Sequence, residues 1–311
     1  MSLKRVLVTG GAGFIGSHLV DALMEGGYEV VVLDNLSSGH LENMARWMEN
    51  PRFKFIKGDL LNQQEVLNAL NGCDLVFHLA ANPEVRIGST DPVIHFRENI
   101  QATFNLLEAI RKVGNVKRLV FTSSSTVYGE ASVPTSEDHP LEPISIYGAS
   151  KLSCEALIMA YAKSYGFNVL ILRLANIVGP RSRHGVIVDF IKKLRKNPEE
   201  LEILGDGTQK KSYLYISDCI NALLLDLTGV FNVGSEDQID VLTIAKIVSE
   251  EMGLKPKLKI TGGVDNGRGW IGDVKNMLLD VSKIKKMGWR PKFNSIESVR
   301  IATKALIKEI R

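Results

Sequence analysis

Residues 5–16 read Arg5-Val6-Leu7-Val8-Thr9-Gly10-Gly11-Ala12-Gly13-Phe14-Ile15-Gly16. A β-branched run passes without a break into G-x-x-G-x-x-G, and an amphipathic stretch follows over 14–25. Glycine is required where a backbone turns tightly, and where it must approach a pyrophosphate within reach of helix N-terminal amides. A glycine pattern alone is weak evidence, and its setting decides the reading. Here a strand precedes it, a helix follows, and a second strand, Glu29-Val30-Val31-Val32-Leu33, ends on Asp34. An acid at that strand end can accept both ribose hydroxyls and repels a 2′-phosphate, which selects NAD over NADP.

Outward from this unit, short β-branched runs alternate with longer amphipathic ones, the pattern of βαβ crossovers. Strands are predicted at 4–9, 29–34, 53–57, 74–79, 117–123 and 168–174, with helices near 14–25, 63–70, 92–112 and 148–165. The fold class is α/β, a Rossmann-type doubly wound parallel sheet with a smaller mixed α/β lobe. At 311 residues the chain exceeds what one core comfortably holds. Residues 1–174 are expected to form the NAD-binding domain, rejoined by about 213–235, and the remainder of 175–311 the substrate lobe. Past residue 175 glycine-rich loops such as 179–185 and 262–269 interrupt helices expected at 186–196, 217–227, 242–252 and 295–309.

A formal charge of +3 gives no reason to expect nucleic acid, and the run Lys192-Lys193-Leu194-Arg195-Lys196 suits the solvated last turn of a helix. Cys73, Cys154 and Cys219 are odd in number without C-x-x-C spacing, and the six histidines form no H-x-x-x-H pair. No metal and a reducing cytoplasm are expected. No apolar run approaches the roughly 20 residues of a membrane span, and Met1-Ser2-Leu3-Lys4-Arg5 leads directly into a strand. The helices at 97–111 (Ile100, Phe104, Leu106, Leu107, Ile110) and 148–165 are apolar almost all round, so a homodimer through them is expected.

In Ser145-Ile146-Tyr147-Gly148-Ala149-Ser150-Lys151 a phenol and an ammonium lie one helical turn apart on one face. By itself the pair reads as a catalytic couple or as an ordinary first turn. A phenol of pKa about 10 is a poor base at neutral pH and needs a nearby positive charge to ionise, which Lys151 can supply. Ser124 falls at the C-terminal end of the strand 117–123, where open α/β sheets place their ligands. Asp59 reads equally as an adenine contact or a turn residue.

Four motifs together are highly specific: Thr9-Gly10-Gly11-Ala12-Gly13-Phe14-Ile15-Gly16, His78-Leu79-Ala80-Ala81, Thr122 to Gly129 (TSSSTVYG), and Tyr147-Gly148-Ala149-Ser150-Lys151. They resemble the extended short-chain dehydrogenase/reductase family nearly end to end, and within it the UDP-glucose (UDP-galactose) 4-epimerases. The resemblance implies Tyr147 as general acid/base, Lys151 as its tuning cation and ribose ligand, and Ser124 as the group that positions the 4-hydroxyl. It implies that NAD lies on Gly10, Gly13, Phe14, Ile15, Gly16, Asp34 and Asn35, with Asp59, Leu60, Leu79, Ala80, Ala81, Asn99, Tyr147 and Lys151 completing its site. For a UDP-sugar it points to Ser124, Thr126, Asn176, Val186, Ile187, Leu204, Lys211, Tyr213 and Asp273, although core packing explains the apolar members equally well, and Arg268 joins them as a candidate where the chain departs from the family pattern.

Related sugar dehydratases carry an Asp-Glu pair where this chain has Ser125-Thr126, which disfavours dehydration. Lys211 and Trp270 replace two diphosphate arginines usual in such epimerases. Lys211 would bind phosphate as a point charge and Arg268 would compensate, unless both are solvated loop residues. Met277, where residue size discriminates N-acetylated sugars, settles nothing. The expected activity is NAD-dependent 4-epimerisation of UDP-galactose and UDP-glucose. UDP-N-acetylhexosamine, UDP-glucuronate, a 4,6-dehydratase or an idle cofactor-sensing protein are the alternatives.

Overall fold

The computed structural model describes residues 5–310. Lys4, the first residue of the predicted strand 4–9, lies outside them, as does the segment before it. The first half of the chain runs β1 (Arg5–Thr9), α1 (Phe14–Glu25), β2 (Glu29–Asp34), β3 (Phe53–Lys57), α2 (Gln63–Leu70) and β4 (Leu75–His78). It continues through α3 (Pro92–His95), a π-helical segment Phe96–Gln101, α4 (Ala102–Val113), β5 (Arg118–Ser124), α5 (Ile146–Tyr165) and β6 (Asn168–Leu174). With β11 (Gly229–Val233) these strands build a seven-stranded sheet in the order β11-β6-β5-β4-β1-β2-β3. The ladders from β3 to β5 are parallel, and Thr9 is paired with Leu33 on one side and His78 on the other.

Val6, Leu7, Val8, Val30 and Val32 are fully buried, because helices cover both faces of a parallel sheet. That double burial is why the strands read as continuous apolar runs. The strand order reverses beside β1, and in open α/β sheets such a switch point places ligands beyond the carboxyl ends of the strands. Thr9, Asp34, His78 and Ser124 all end strands at that edge.

Two compact units divide the chain. The first contains the residues up to Ser124, Ile146–Arg173 and Leu223–Val230; the second contains Ser125–Ser145, Leu174–Ala222 and Phe231–Arg311. The sequence reading had placed 125–145 with the first. Asn232 accounts for the difference: its side chain accepts from the Tyr128 hydroxyl (2.7 Å) and donates to the Thr135 carbonyl (2.9 Å), while Glu137 accepts its backbone amide (2.8 Å). Leu223–Val230 is the segment that returns to the first unit, a shorter stretch than the 213–235 expected.

The second unit adds β7 (Asn176–Val178), α6 (Val186–Lys196), β8 (Glu200–Ile203), β9 (Lys210–Lys211), β10 (Tyr213–Tyr215), α7 (Ile216–Leu223), β12 (Ile239–Asp240), α8 (Val241–Glu251), β13 (Lys257–Ile260), β14 (Asn276–Met277), α9 (Ser282–Lys286) and α10 (Ser295–Glu309). Its core joins α6, α8 and α10 through Phe190, Ile191, Ile244, Val248, Val299 and Leu306. A full capping box of Asn294 and Glu297 starts α10.

Two predicted helices differ from expectation. The 92–112 helix is broken into α3, the π segment and α4, because Asn99 turns inward to make buried hydrogen bonds. The 217–227 helix stops at Leu223, and the Arg118 guanidinium takes the freed carbonyls of Leu225 (2.6 Å) and Leu227 (2.9 Å). Leu106, Leu107 and Ile110 of α4 are core residues, so the exposed apolar surface there reduces to Phe104 and its neighbours.

Candidate active site

In the first unit, Gly10 leaves β1 with φ of +70°, and a Cβ there would lie 2.7 Å from the Ala80 amide nitrogen. At Gly16 a Cβ would lie 2.1 Å from the Gly10 carbonyl oxygen. Only glycine permits the loop and the start of α1 to approach one another this closely. Gly13 is the N-cap of α1, and no side chain caps that end, with Phe14 and Ile15 as its first residues. The positive end of the helix dipole is thus left to an anion.

Asp34 ends β2 beside the glycine loop. Its Oδ2 accepts the Ala12 amide (2.9 Å) and its Oδ1 the Leu36 amide (2.8 Å), so the carboxylate holds the glycine loop to the end of β2. Burial raises its pKa, and these two backbone donors oppose the rise. Each oxygen keeps a lone pair for a hydroxyl. Asn35 donates to Asp59 Oδ2 (3.1 Å), and Asp59 Oδ1 accepts the Leu61 amide (2.9 Å). Asp59 is therefore both a turn residue and a member of this edge. Leu60 is buried in the core. Leu79 and Ala80 follow β4 with their amides on the Thr9 carbonyl (3.2 Å) and hydroxyl (3.3 Å), and Ala81 comes next.

Beneath that edge runs a one-way hydrogen-bond chain that sequence reasoning missed. The Thr103 hydroxyl donates to the Asn99 carbonyl (2.6 Å), so it accepts from His78 Nε2 (2.9 Å). His78 Nδ1 then accepts from Thr9, whose oxygen accepts the Ala80 amide. Burial drives the His78 pKa down to about 3, with the Lys151 charge adding to the shift, so the ring is neutral and this tautomer is fixed. Asn99 accepts the Asn82 amide (2.8 Å) and donates to Ser150 Oγ (2.8 Å), joining the loop after β4 to the first turn of α5.

Tyr147, Lys151 and Ser124 meet in this unit. The Ser124 hydroxyl is hydrogen-bonded to Tyr147, and the Tyr147 ring meets His95 edge-on at 5.6 Å. Lys151 is 3% exposed, donates to the Thr122 carbonyl (2.9 Å), and stands 4.8 Å from the Phe121 ring and 6.0 Å from the Tyr147 ring centroid. Burial pushes the phenol up to about 12, with Ser124 opposing and Cys154 adding to it. Burial also pushes the ammonium down to about 8, against the pull of Cys154 and Glu155. Burial of both groups thus opposes the positive charge expected from Lys151 and from a bound cationic ring. In the protein by itself desolvation dominates both groups, and a further positive charge is required.

The second unit holds the remaining candidates. Thr126 lies on a short turn, Ser125–Val127, directly after β5. Asn176 spends its amide on the Ser212 carbonyl (3.2 Å). Val186, at the start of α6, is partly buried against the core. Ile187 and Tyr213 are core residues, in keeping with the packing reading left open for them. Burial, helped by Asp273, raises the Tyr213 phenol far above its usual range. Met277 is likewise buried.

The two proposed phosphate cations are not solvated loop residues. Lys211 pairs with Asp273 (2.6 Å) and lies 5.4 Å from the Trp270 ring centroid. Arg268 contacts Glu130 (2.8 Å), Asp265 (2.5 Å) and the Asp273 carbonyl (2.9 Å). Asp273, 3% exposed, also accepts the Gly269 amide (3.3 Å), and Leu204 borders Gly269. These side chains form one charged loop cluster. Among the described residues no group of histidine, cysteine or acidic side chains is placed to hold a metal ion.

The profile of the NAD dependent epimerase/dehydratase family matches residues 6–241. A putative UDP-glucose 4-epimerase of Methanocaldococcus jannaschii is 35% identical over 306 residues, covering 95% of this chain and 96% of that protein. The crystal structure of a UDP-galactose 4-epimerase superposes with a TM-score of 0.86 at 48% identity, covering 99% of this chain and all of the other. A Bacillus cereus UDP-glucuronic acid 4-epimerase, solved with UDP-glucuronic acid and NAD, does so with 0.89 at 32% identity, covering 99% and 100%. The glycine cradle, the uncapped start of α1 and the acid ending β2 suit NAD, and the chain belongs to this NAD-dependent family, as an extended short-chain dehydrogenase/reductase of the UDP-sugar epimerase kind.

Proposed function

We propose that the protein interconverts UDP-galactose and UDP-glucose by inverting C4 of the hexose. The observation that carries this reading is the Ser124–Tyr147 hydrogen bond beside the buried Lys151. When bound, NAD supplies a reversible hydride acceptor and a cationic ring. Tyr147 takes the proton of the 4-hydroxyl as C4 loses its hydrogen with the bonding pair, leaving a 4-keto sugar. Ser124 donates to the oxygen at C4, and the Lys151 ammonium lowers the cost of the phenolate. Hydride return to the other face of the turned-over ketone, with the proton restored from Tyr147, completes inversion.

The second unit holds the UDP in this reading, with Asn176, Leu204, Lys211, Arg268 and Asp273 as its ligands and Thr126 near the sugar. Phosphate oxygens displace the carboxylates now paired with Arg268 and Lys211. The likeness to a UDP-glucuronic acid 4-epimerase supports a second reading, the same chemistry on another UDP-sugar. Ser125 and Thr126 have no ionisable acid for dehydration, and the presence of both Tyr147 and Lys151 argues against an idle binding protein. Val93, Phe96, Phe104, Met159 and Tyr165 are each more than 40% exposed on α3, the π segment, α4 and α5. They support a homodimer through these helices. Three free, buried cysteines agree with a reducing cytoplasm. Among the described residues no helix is long and apolar enough to cross a membrane.

Incubated with UDP-galactose and NAD, the protein gives UDP-glucose in the proton NMR spectrum, and Tyr147→Phe lowers the rate by about 10²–10⁴-fold with the fold intact. Undiminished turnover in that variant removes Tyr147 from the acid/base role. Arg268→Ala raises the Michaelis constant for the UDP-sugar about tenfold or more while kcat changes little; an unchanged constant removes Arg268 from the site. Sedimentation at micromolar concentration gives a dimer, and a monomer alone contradicts the helical interface.

Lys151 also makes a prediction for stability. Its folded pKa, about 8, lies below the unfolded value, so the unfolded chain binds more protons between about pH 8 and 10.5, and stability rises with pH across that window. Below pH 8 the cost is fully present. Lys151→Met is therefore inactive yet more stable at pH 7, by about 1–3 kcal/mol, with the difference closing towards pH 10.5. Thermal unfolding of both proteins across this range measures it.

A further inference from the structure

Three consecutive residues at the end of β5 are engaged by three residues of α5 spaced a helical turn apart. Ser124 is hydrogen-bonded to Tyr147, the Thr122 carbonyl accepts Lys151 Nζ at 2.9 Å, and Ser123 Oγ donates to Glu155 Oε1 at 2.5 Å. Only the third contact lacks a part in the chemistry proposed above. Glu155 is 3% exposed, and Arg173 of β6, 5% exposed, grips it through Nε (3.1 Å) and Nη2 (2.7 Å). A bidentate, buried, hydrogen-bonded pair is the most directional contact available to a carboxylate. Breaking one partner of such a pair is costly, so it fixes geometry more than it adds net stability.

We propose that Glu155, clamped between Ser123 and Arg173, is a positioning residue that sets the register of α5 on β5 and so places Tyr147 on Ser124 and Lys151 on Thr122. This inference rests on the catalytic reading of Tyr147 and Lys151. Residues i, i+4 and i+8 lie towards one side of a helix, but each step of four advances about 40° around the axis. A tether at i+8 therefore fixes the rotation of the helix about its axis, which two contacts at its start leave less defined. A one-residue slip would carry the phenol away from the Ser124 hydroxyl. The ionisable groups facing Lys151 are Glu155 and Cys154 on its own helix, Tyr147 one turn before it and His78 of β4.

The test compares Glu155→Gln, Arg173→Gln and Ser123→Ala. The first readout needs no sugar: the Lys151 Cε resonance of 13C-lysine-labelled protein, assigned by its loss in Lys151→Met, is titrated with pH. Glu155→Gln removes the attracting charge and moves the Lys151 titration to lower pH, whereas Arg173→Gln leaves that charge unbalanced and moves it higher. Ser123→Ala withdraws a donor from Glu155 and also moves it higher. The second readout is turnover: Glu155→Gln and Ser123→Ala lower kcat about tenfold and a few-fold respectively, with the Michaelis constant within about twofold of wild type.

Should either charge variant not fold, Ser123→Ala decides alone. A Lys151 titration and a kcat both unmoved in the folded variants overturn the positioning role, as does a parallel fall in kcat and thermal midpoint with the titration unmoved. If the wild-type protein turns over no UDP-galactose, the substrate reading fails, and the lysine titration still decides this inference.

Discussion

The bond from Lys151 Nζ to the Thr122 carbonyl is the contact through which the sheet and the reactive helix become one site. A lysine buried to 3% exposure loses most of its hydration, and the carbonyl at the end of β5 replaces part of it. Everything near it is arranged around that placement. Ser124, two residues along the strand, meets Tyr147, and the neutral His78 beneath keeps a second positive charge out of the edge. The protein keeps an unfavourable charge at the position where the proposed chemistry would use one, a local cost in stability.

The cofactor edge is built by the same logic of close backbone approach. Gly10 and Gly16 leave no room for a Cβ, Asp34 ties the loop to β2, and the Thr9–His78–Thr103 chain ties β1 and β4 to the first turn of α4. Asn99, within the π turn, faces inward and bonds Asn82 and Ser150. In the second unit, each cation proposed for phosphate is already paired with a carboxylate, so the loop is held in shape before any anion arrives. In the proposed function, anion binding there would be an exchange of partners.

Much of this was legible in the sequence where local physics governs. The spans of α1, α2, α6 and α10 follow from apolar periodicity alone, and the buried strands from their β-branched runs. The glycine loop and Asp34 are marked by their places at strand ends, whereas the spacing of Tyr147 and Lys151 became telling only beside the other family motifs. What was not legible depends on distant partners. Glu155 needs Arg173 and Ser123, and the short strands β9, β12 and β14 hold two residues each and carry no period. The break in the 92–112 helix follows from tertiary contacts of Asn99, and the downward shift of Lys151 from burial that no motif records. Glu155 alone left a trace, lying on the Tyr147–Lys151 face one turn farther along.

The proposed function rests on one division of labour: the hydroxyl proton at C4 would pass through Tyr147 and exchange with water, while the hydrogen on carbon would not. Incubation of the protein with UDP-galactose and NAD in D2O, followed by proton NMR, tests this directly. The account predicts UDP-glucose that retains its full H4 signal. Deuterium at C4 of the product, or no UDP-glucose at all, contradicts it.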